Sequence, residues 1–162
     1  MWSSVVAVLG TLAGAALAGY AQRATDRRAR DDAHRQEVTR AVAELLETVV
    51  RHREVHWLAV AARRAGDVET AEERAARAST RSAATVARDR LGLLVLMDPA
   101  LLGAAETAWR TAIELPDISL GPVVDGQFEP DVEAALEAAR ERSRSAHTAL
   151  RIAGAAYVNS GH

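Results

Sequence analysis

The sequence predicts an all-α protein in which one N-terminal membrane-spanning helix continues into a long helix and an antiparallel helical bundle. The first 21 residues carry no charged side chain, and residues 22–65 contain neither proline nor glycine. Alanine and arginine are abundant, whereas aromatic residues make up only 4% of the chain. This composition favours helices over strands. A length of 162 residues suits one modest domain attached to such an anchor.

Charge and cysteine content exclude several classes of protein. The formal net charge is −2, and all 20 basic residues are arginine. A general nucleic-acid binder normally has a strong basic excess, so we expect no direct binding to nucleic acid. The chain has no cysteine, which excludes disulfides and thiolate metal sites.

Residues 1–21 form the predicted membrane anchor. About twenty helical residues cover roughly 30 Å, the thickness of the hydrocarbon core of a bilayer. Trp2 and Tyr20 bracket the segment, at the positions where aromatic rings favour the headgroup level. A secretory signal would need positive charge before the apolar run, and none is present. A cleaved signal stays open as an alternative, because Ala16-Leu17-Ala18 has the small-x-small pattern of a cleavage site.

Arginines directly after the anchor predict its orientation. Residues 23–30 contain four arginines and only one carboxylate, Asp26. The arginines are Arg23, Arg27, Arg28 and Arg30. By the positive-inside rule the N-terminus lies outside and residues 22–162 lie in the cytoplasm. The sequence therefore predicts a single-pass protein of the cell membrane in contact with lipid. Its predicted interfacial anchors are Trp2, Tyr20, Arg23, Arg27 and Arg28.

A stripe of small residues runs along the anchor at four-residue spacing. Its members are Gly10, Gly14 and Ala18. Such a stripe lets a second helix approach closely, so it predicts self-association or packing against another membrane protein. The alternative is that glycine and alanine are simply common in this chain.

A heptad seam identifies the buried face of the first cytoplasmic helix, predicted at 22–65. Steps of four and three residues typical of coiled-coil packing connect the members of this seam. They are Val38, Val42, Leu45, Val49, His52, His56 and Ala59. Gly66 then ends the helix, and Asp67 is the predicted N-cap of the next one.

Three more helices are predicted, at 68–97, 99–115 and 131–159. In the second, we expect a small-residue face (Ala71, Ala75, Ala78, Ser82) to pack on the first helix, and the LGLLVLM stretch to enter the core. Asp98-Pro99 is a strong start signal for the third.

The segment 116–130 has three prolines and two glycines, so it is a loop, with a hairpin turn at Asp125-Gly126. We interpret this loop as a crossover that covers one end of the bundle, and a functional loop is the alternative.

The search for catalytic chemistry finds only two candidate residues. His52 and His56 are four residues apart and so share one helix face, a geometry that two metal ligands can use. The stretch is His-Arg-Glu-Val-His, which lacks the metalloprotease pattern, and a seam histidine can equally set the register of packed helices. We therefore predict no catalytic residues, no metal site and no cofactor. Trp57 and Trp109 are interpreted as core residues, with an exposed partner site as the alternative.

Two stretches resemble the small KilB-type membrane proteins of actinomycetes. One is the start, MWSSVVAVLGTLAGAALAGYAQR. The other runs from Glu44 to Arg53 and leads to Trp57 and the turn at Arg63-Arg64-Ala65-Gly66. The resemblance lies mainly in the first seventy residues. It implies a membrane protein of conjugative plasmid transfer that helps a plasmid to spread through recipient mycelium, and it supplies no catalytic residues.

The expected function is that of a non-catalytic, single-pass membrane scaffold or accessory factor that associates with itself or with another membrane protein. The alternative is an oligomeric pore or membrane-remodelling subunit whose anchors pack through Gly10, Gly14 and Ala18.

Overall fold

Four helices make up most of the protein in the computed structural model. It describes residues 2–160, except for the side chains of 2–19, 21 and 24. The helices are α1 (Trp2–Arg64), α2 (Ala71–Leu94), α3 (Pro99–Ile113) and α4 (Pro130–Asn159), with a 3-10 turn at Leu115–Asp117. Across residues 2–160 the only β-type pairing is an isolated bridge, so the all-α prediction is confirmed.

The chain divides into two compact units, Met1–Glu37 and Val38–His162. In the described part of the first unit, nearly every helical side chain is exposed. Among the fully described residues, no helix is both long enough and apolar enough to cross a membrane. The predicted anchor lies outside those residues, apart from Tyr20.

The second unit is built around one face of α1. Valines and leucines from that face have at most 8% of their surface exposed. The buried face comprises Val38, Ala41, Val42, Leu45, Val49, His52, His56 and Val60. The predicted seam is therefore confirmed in all its members except Ala59, which is half-buried while its neighbour Val60 is buried.

Contacts between α1 and α2 fix an antiparallel arrangement. Glu44 on α1 accepts a hydrogen bond from Arg90 near the end of α2, at 2.9 Å. His52, further along α1, contacts Thr80, which comes earlier in α2. The α2–α3 turn therefore lies at the end of the bundle where α1 enters at Val38, and the α1–α2 turn lies at the opposite end.

Small residues let the helices pack closely in the core. Ala87, Ala105, Ala108, Ala112 and Ala146 are all buried in one cluster with the α1 seam. A second, smaller cluster at the far end joins Val60 to Phe128 and Leu136.

The α1–α2 turn differs from the prediction at its N-cap. Gly66 has a φ of +90° and Asp67 donates its backbone N–H to the Ala62 carbonyl, the pattern of a Schellman cap. Asp67 thus belongs to the end of α1. Thr70 caps α2 instead, through a capping box in which its hydroxyl accepts from Glu73 N–H and its own N–H donates to the Glu73 carboxylate.

The inner face and the end of α2 were also predicted wrongly. Ala71, Ala75, Ala78 and Ser82 are exposed. The buried positions are Ala84, Ala87 and Leu91. The helix ends at Leu94 rather than residue 97, because the chain must leave the helix before Asp98 can cap α3, whose Leu101 N–H donates to the Asp98 carboxylate at 2.8 Å.

The connection between α3 and α4 covers the far end of the bundle, as predicted. Ile118, Leu120 and Val123 pack against the second core cluster. Asp125 and Gly126 both have positive φ between the bridged residues Val124 and Gln127, which confirms the hairpin turn.

The carboxylate of Glu133 holds the end of this loop in place. It accepts from the Phe128 N–H and from Arg64 on α1. These hydrogen bonds, that of Phe128 first, lower the pKa of Glu133.

Two helical glycines form a matched pair for testing how closely α4 approaches α1. A Cβ added to Gly154 would lie 3.0 Å from Val42 Cγ1, whereas one added to Gly103 would meet no atom within 4 Å. Gly103→Ala should stabilise the fold by about 1 kcal/mol, the usual gain of alanine over glycine in a helix. Gly154→Ala should destabilise it, because overpacking against a rigid valine costs about 1–3 kcal/mol.

Denaturant unfolding of both variants, followed by circular dichroism, measures the difference. Equal stabilisation by the two alanines would show that α4 does not approach Val42 this closely.

Candidate functional site

The residues predicted to work in the membrane lie mostly outside the described side chains. These are Trp2, Gly10, Gly14 and Ala18, whose packing therefore stays a prediction. Tyr20 is 76% exposed, and Arg23, Arg27 and Arg28 are exposed on α1. Their roles as interfacial anchors also stay predictions.

His52 lies fully buried where α1 packs on α2. Its Nδ1 is 2.9 Å from Thr80 Oγ1, and the Thr80 hydroxyl donates to the Arg77 carbonyl at 3.0 Å. The direction of the hydrogen bond between His52 Nδ1 and Thr80 Oγ1 depends on the tautomer of the ring. Nε2 is buried without a hydrogen-bond partner in the described structure.

His56, one turn further along, is 2% exposed, and neither of its ring nitrogens has a hydrogen-bond partner in the described structure. Its ring packs edge-on against Trp57, with 5.1 Å between the ring centroids. Burial lowers the pKa of His56 from 6.5 to about 4, with smaller effects from His52 and Arg77. Burial also lowers the pKa of His52, followed by the charges of Arg81 and Arg77. Both histidines are therefore neutral at pH 7.

His52 and His56 are the two residues that the sequence suggests as weak metal-ligand candidates. Among the described side chains, no group of three or more histidine, cysteine and carboxylate residues could hold a metal ion.

Trp57 and Trp109 are half-buried against the core, as interpreted from the sequence. Arg88 lies over the Trp109 ring with its guanidinium carbon 4.3 Å from the centroid, and the indole N–H donates to Thr85. Arg140 covers Trp57 in the same way at 5.5 Å. Each ring thus has an arginine across its outer face.

An exposed apolar turn follows α2. Leu93, Leu96 and Met97 are 74%, 65% and 95% exposed, within five consecutive residues. Only Leu91, Val95 and, in part, Leu94 enter the core from this segment. The prediction that LGLLVLM is core is therefore wrong for half of its large side chains. We call Leu93, Leu96 and Met97 the apolar turn.

Comparison with known proteins gives one consistent result. The model of the KilB plasmid transfer protein family matches residues 39–158. The chain belongs to this family. It is 38% identical over 117 residues to protein KilB of Streptomyces lividans, an alignment that covers 71% of this chain and 78% of that protein. No solved structure matches.

The family match lies on the bundle. It begins at residue 39 and ends one residue before the end of α4. It includes the Glu44–Arg53 stretch, the buried histidines and the apolar turn. Residues 1–38, which contain the N-terminal stretch of the resemblance, lie outside the matched range.

Sequence reasoning missed the apolar turn, although a signal for it was present. A helix that must end before Asp98-Pro99 cannot keep a whole run of large apolar residues on one inward face. It also missed three arginines spaced along α2 beside His52. These are Arg74, Arg77 and Arg81, at intervals of three and four residues.

The stability of the bundle should depend on acid because of His56. The pKa of His56 is near 4 in the folded state and 6.5 in the unfolded state, so the unfolded protein takes up a proton first as the pH falls. Above pH 6.5 both states are neutral and the free energy of unfolding is not reduced by this residue. This free energy decreases as the pH falls from 6.5 towards 4. The full loss from this residue is on the order of 3 kcal/mol. Unfolding at a series of pH values measures it.

The variant His56→Leu isolates this effect. Leucine fills a similar volume without unpartnered nitrogens, so the variant should be at least as stable at pH 7 and less sensitive to acid. An unchanged acid profile would contradict the assignment of the sensitivity to His56.

Proposed function

We propose that this KilB-family protein is a non-catalytic scaffold or accessory factor of plasmid transfer. A membrane anchor holds it at the membrane, and the bundle presents the apolar turn to a partner protein. The observation that carries the proposal is the grouping of three exposed large apolar side chains, Leu93, Leu96 and Met97, within five consecutive residues. The names of the family and of its Streptomyces relative support the process.

Exposing large apolar side chains to water is unfavourable in free energy. Large exposed apolar patches in soluble domains typically mark sites of protein or membrane interaction. Burying three such side chains at an interface gives a favourable free energy of about 1.5–3 kcal/mol each. Within the bundle, the apolar turn lies at the end where the buried face of α1 begins at Val38.

The membrane anchor in this proposal rests on the sequence of residues 1–21. Its apolar length, the flanking Trp2 and Tyr20, and the following arginines support a single span with the N-terminus outside. The bundle then lies in the cytoplasm.

A pore or membrane-remodelling subunit is a second candidate. The stripe Gly10, Gly14 and Ala18 favours it, because close helix packing is needed to assemble several anchors. The few polar side chains of the anchor, Ser3, Ser4 and Thr11, speak against a water-filled channel.

Introducing charged residues into the apolar turn tests whether it binds a partner. The double variant Leu96→Asp/Met97→Asp should reduce the frequency of plasmid transfer about tenfold or more, as expected when central apolar anchors of an interface are lost. Because both side chains are exposed, the free energy of unfolding should change by less than about 0.5 kcal/mol. Mating assays and denaturant unfolding give the two measurements.

Leu58→Asp is the matched control. Leu58 is 70% exposed on α1, away from the apolar turn, so this variant should transfer the plasmid normally. Equal loss in control and double variant, or no loss in either, would contradict the proposal.

Cross-linking identifies what covers the turn. The chain has no cysteine, so Ala100→Cys, at an exposed position beside the turn, gives a single thiol for a photo-reactive probe. A product with a single partner protein or a second copy supports a scaffold. A ladder that ends in a ring of defined size supports the pore.

Topology is tested by labelling single cysteines in intact cells. With a membrane-impermeant maleimide, Ser3→Cys should react from outside, whereas Ser160→Cys, at the end of α4, should react only after lysis. Labelling of position 3 only after lysis would overturn the orientation. Loss of position 3 from the mature protein would indicate a cleaved signal.

A further inference from the structure

A shallow groove runs along the surface of the bundle between α1 and α4. It consists of two hollows of about 360 and 330 Å³, and Leu46 lines both, so they form one continuous depression. The α1 residues along it include Thr39, Ala43, Leu46, Val50 and Glu54. We call this surface the α1–α4 groove.

The α1 side of the groove has the spacing of a coiled coil. Thr39, Ala43, Leu46 and Val50 follow steps of four, three and four residues, which is the spacing that brings the side chains of two wound helices together. Thr39 and Ala43 are exposed, and Leu46 and Val50 are half-buried. Besides its buried seam, α1 therefore has a second seam that faces out of the bundle.

α1 and α4 run antiparallel along this groove. Gly154 lies against Val42, and two turns further along α1, His147 lines the same hollow as Val50. A step towards the C-terminus on α1 thus corresponds to a step towards the N-terminus on α4. Heights along the two helices can therefore be matched residue by residue.

The two edges of the groove carry opposite charge at matching heights. Glu47 and Glu54 are exposed on α1, whereas Arg151 and Arg144 are exposed on α4 near the heights of Glu47 and Glu54 respectively. Glu47 pairs with Arg51 on its own helix, at 2.9 Å. Among the described residues, no ion pair includes Glu54, Arg144 or Arg151.

The arginines of the α4 edge also act on a cation of α1. Burial and then the charges of Arg144 and Arg140 lower the pKa of Arg53. A carboxylate brought to this edge from outside would offset the repulsion among these arginines.

We infer that a second copy of this chain occupies the α1–α4 groove, with its α1 parallel to α1 of the first copy. The outward seams of the two α1 helices then face each other. Glu47 and Glu54 of each copy face Arg151 and Arg144 of the other. A two-fold axis parallel to α1 relates the copies, so every contact is made twice.

Self-complementarity favours a second copy over a different helix. In a two-fold interface one surface must supply both halves of each contact. The α1–α4 groove meets this requirement, because rotation about an axis along it brings the acidic edge of one copy to the basic edge of the other. Parallel α1 helices also suit two copies that share one orientation in a membrane. That point alone rests on the proposed function.

Exchanging charges in the full-length protein tests this pairing. The α1 variant, Glu47→Arg/Glu54→Arg, and the α4 variant, Arg144→Glu/Arg151→Glu, each place like charges across the interface. Each alone should dimerise about tenfold or more weakly than the unaltered protein, because like charges that face each other oppose association. Sedimentation equilibrium in detergent measures the dissociation constant of the dimer.

An equimolar mixture of the two variants should recover the affinity of the unaltered protein, because every facing pair is again opposite in sign. Recovery also excludes misfolding as the reason for the weakened dimers. Unweakened dimers of both variants, or no recovery in the mixture, would overturn the inference. Arg142→Glu is the control, since Arg142 is exposed on α4 but lies two residues from Arg144 and so points to another side of the helix. It should leave the dissociation constant unchanged.

Cross-linking between single cysteines tests the parallel register. A short bis-maleimide should join Glu47→Cys chains to Arg151→Cys chains, and Glu54→Cys chains to Arg144→Cys chains. Glu47→Cys with Arg144→Cys is the mismatched control, because seven residues of helix displace the second thiol by about 10 Å. Equal yields from matched and mismatched pairs, or no product from the matched pairs, would overturn the inference.

The outcome is independent of the test of the proposed function. None of these substitutions alters the apolar turn, so a failed dimer leaves the role of Leu96 and Met97 to be decided by plasmid transfer. A normal transfer frequency in Leu96→Asp/Met97→Asp would in turn leave the dimer to be decided by sedimentation and cross-linking.

Discussion

Burial of one face of α1 is the constraint on which the rest of the bundle depends. Val38, Leu45 and Val49 have almost no exposed surface, and α2, α3 and α4 contribute mainly alanines and single leucines to the same core. With so few aromatic residues in the chain, the core is filled by bringing helices close together rather than by large side chains. The approach of Gly154 to Val42 shows how close α1 and α4 come.

The same buried face of α1 includes two polar residues, His52 and His56. A buried imidazole without full hydrogen bonding costs stability, which apolar residues at these positions would avoid. His52 recovers part of this cost through its hydrogen bond with Thr80. His56 has no hydrogen-bond partner among the described residues, and protonation of its buried ring destabilises the fold at acid pH.

Sequence patterns predicted the parts of the fold that depend on local physics. Gly66 ends α1 and Asp98-Pro99 starts α3 through contacts within a single turn of the chain. The buried seam of α1 was recognisable because its large side chains stand out on an otherwise polar helix. The inner face of α2 was not predictable in this way, because alanines lie on all sides of the helix and periodicity cannot separate Ala71 and Ala75 from Ala84 and Ala87. The arginines of α2 beside His52 were missed because they lie 22–29 positions later in the sequence.

The end of α4 and the loop hairpin lie at opposite ends of the bundle, and this determines where a label can be attached. The C-terminus of α4 lies at the same end as the entry of α1, since Val158 and Asn159 line a groove with Val38 and Val42. The apolar turn also lies at that end, so a fluorescent protein fused after α4 would crowd the surface proposed to meet a partner. The hairpin at Asp125-Gly126 is at the other end, next to Arg64, and exposed turns of this kind tolerate insertions well. A tag inserted there would report on the protein while leaving its partner surface uncovered.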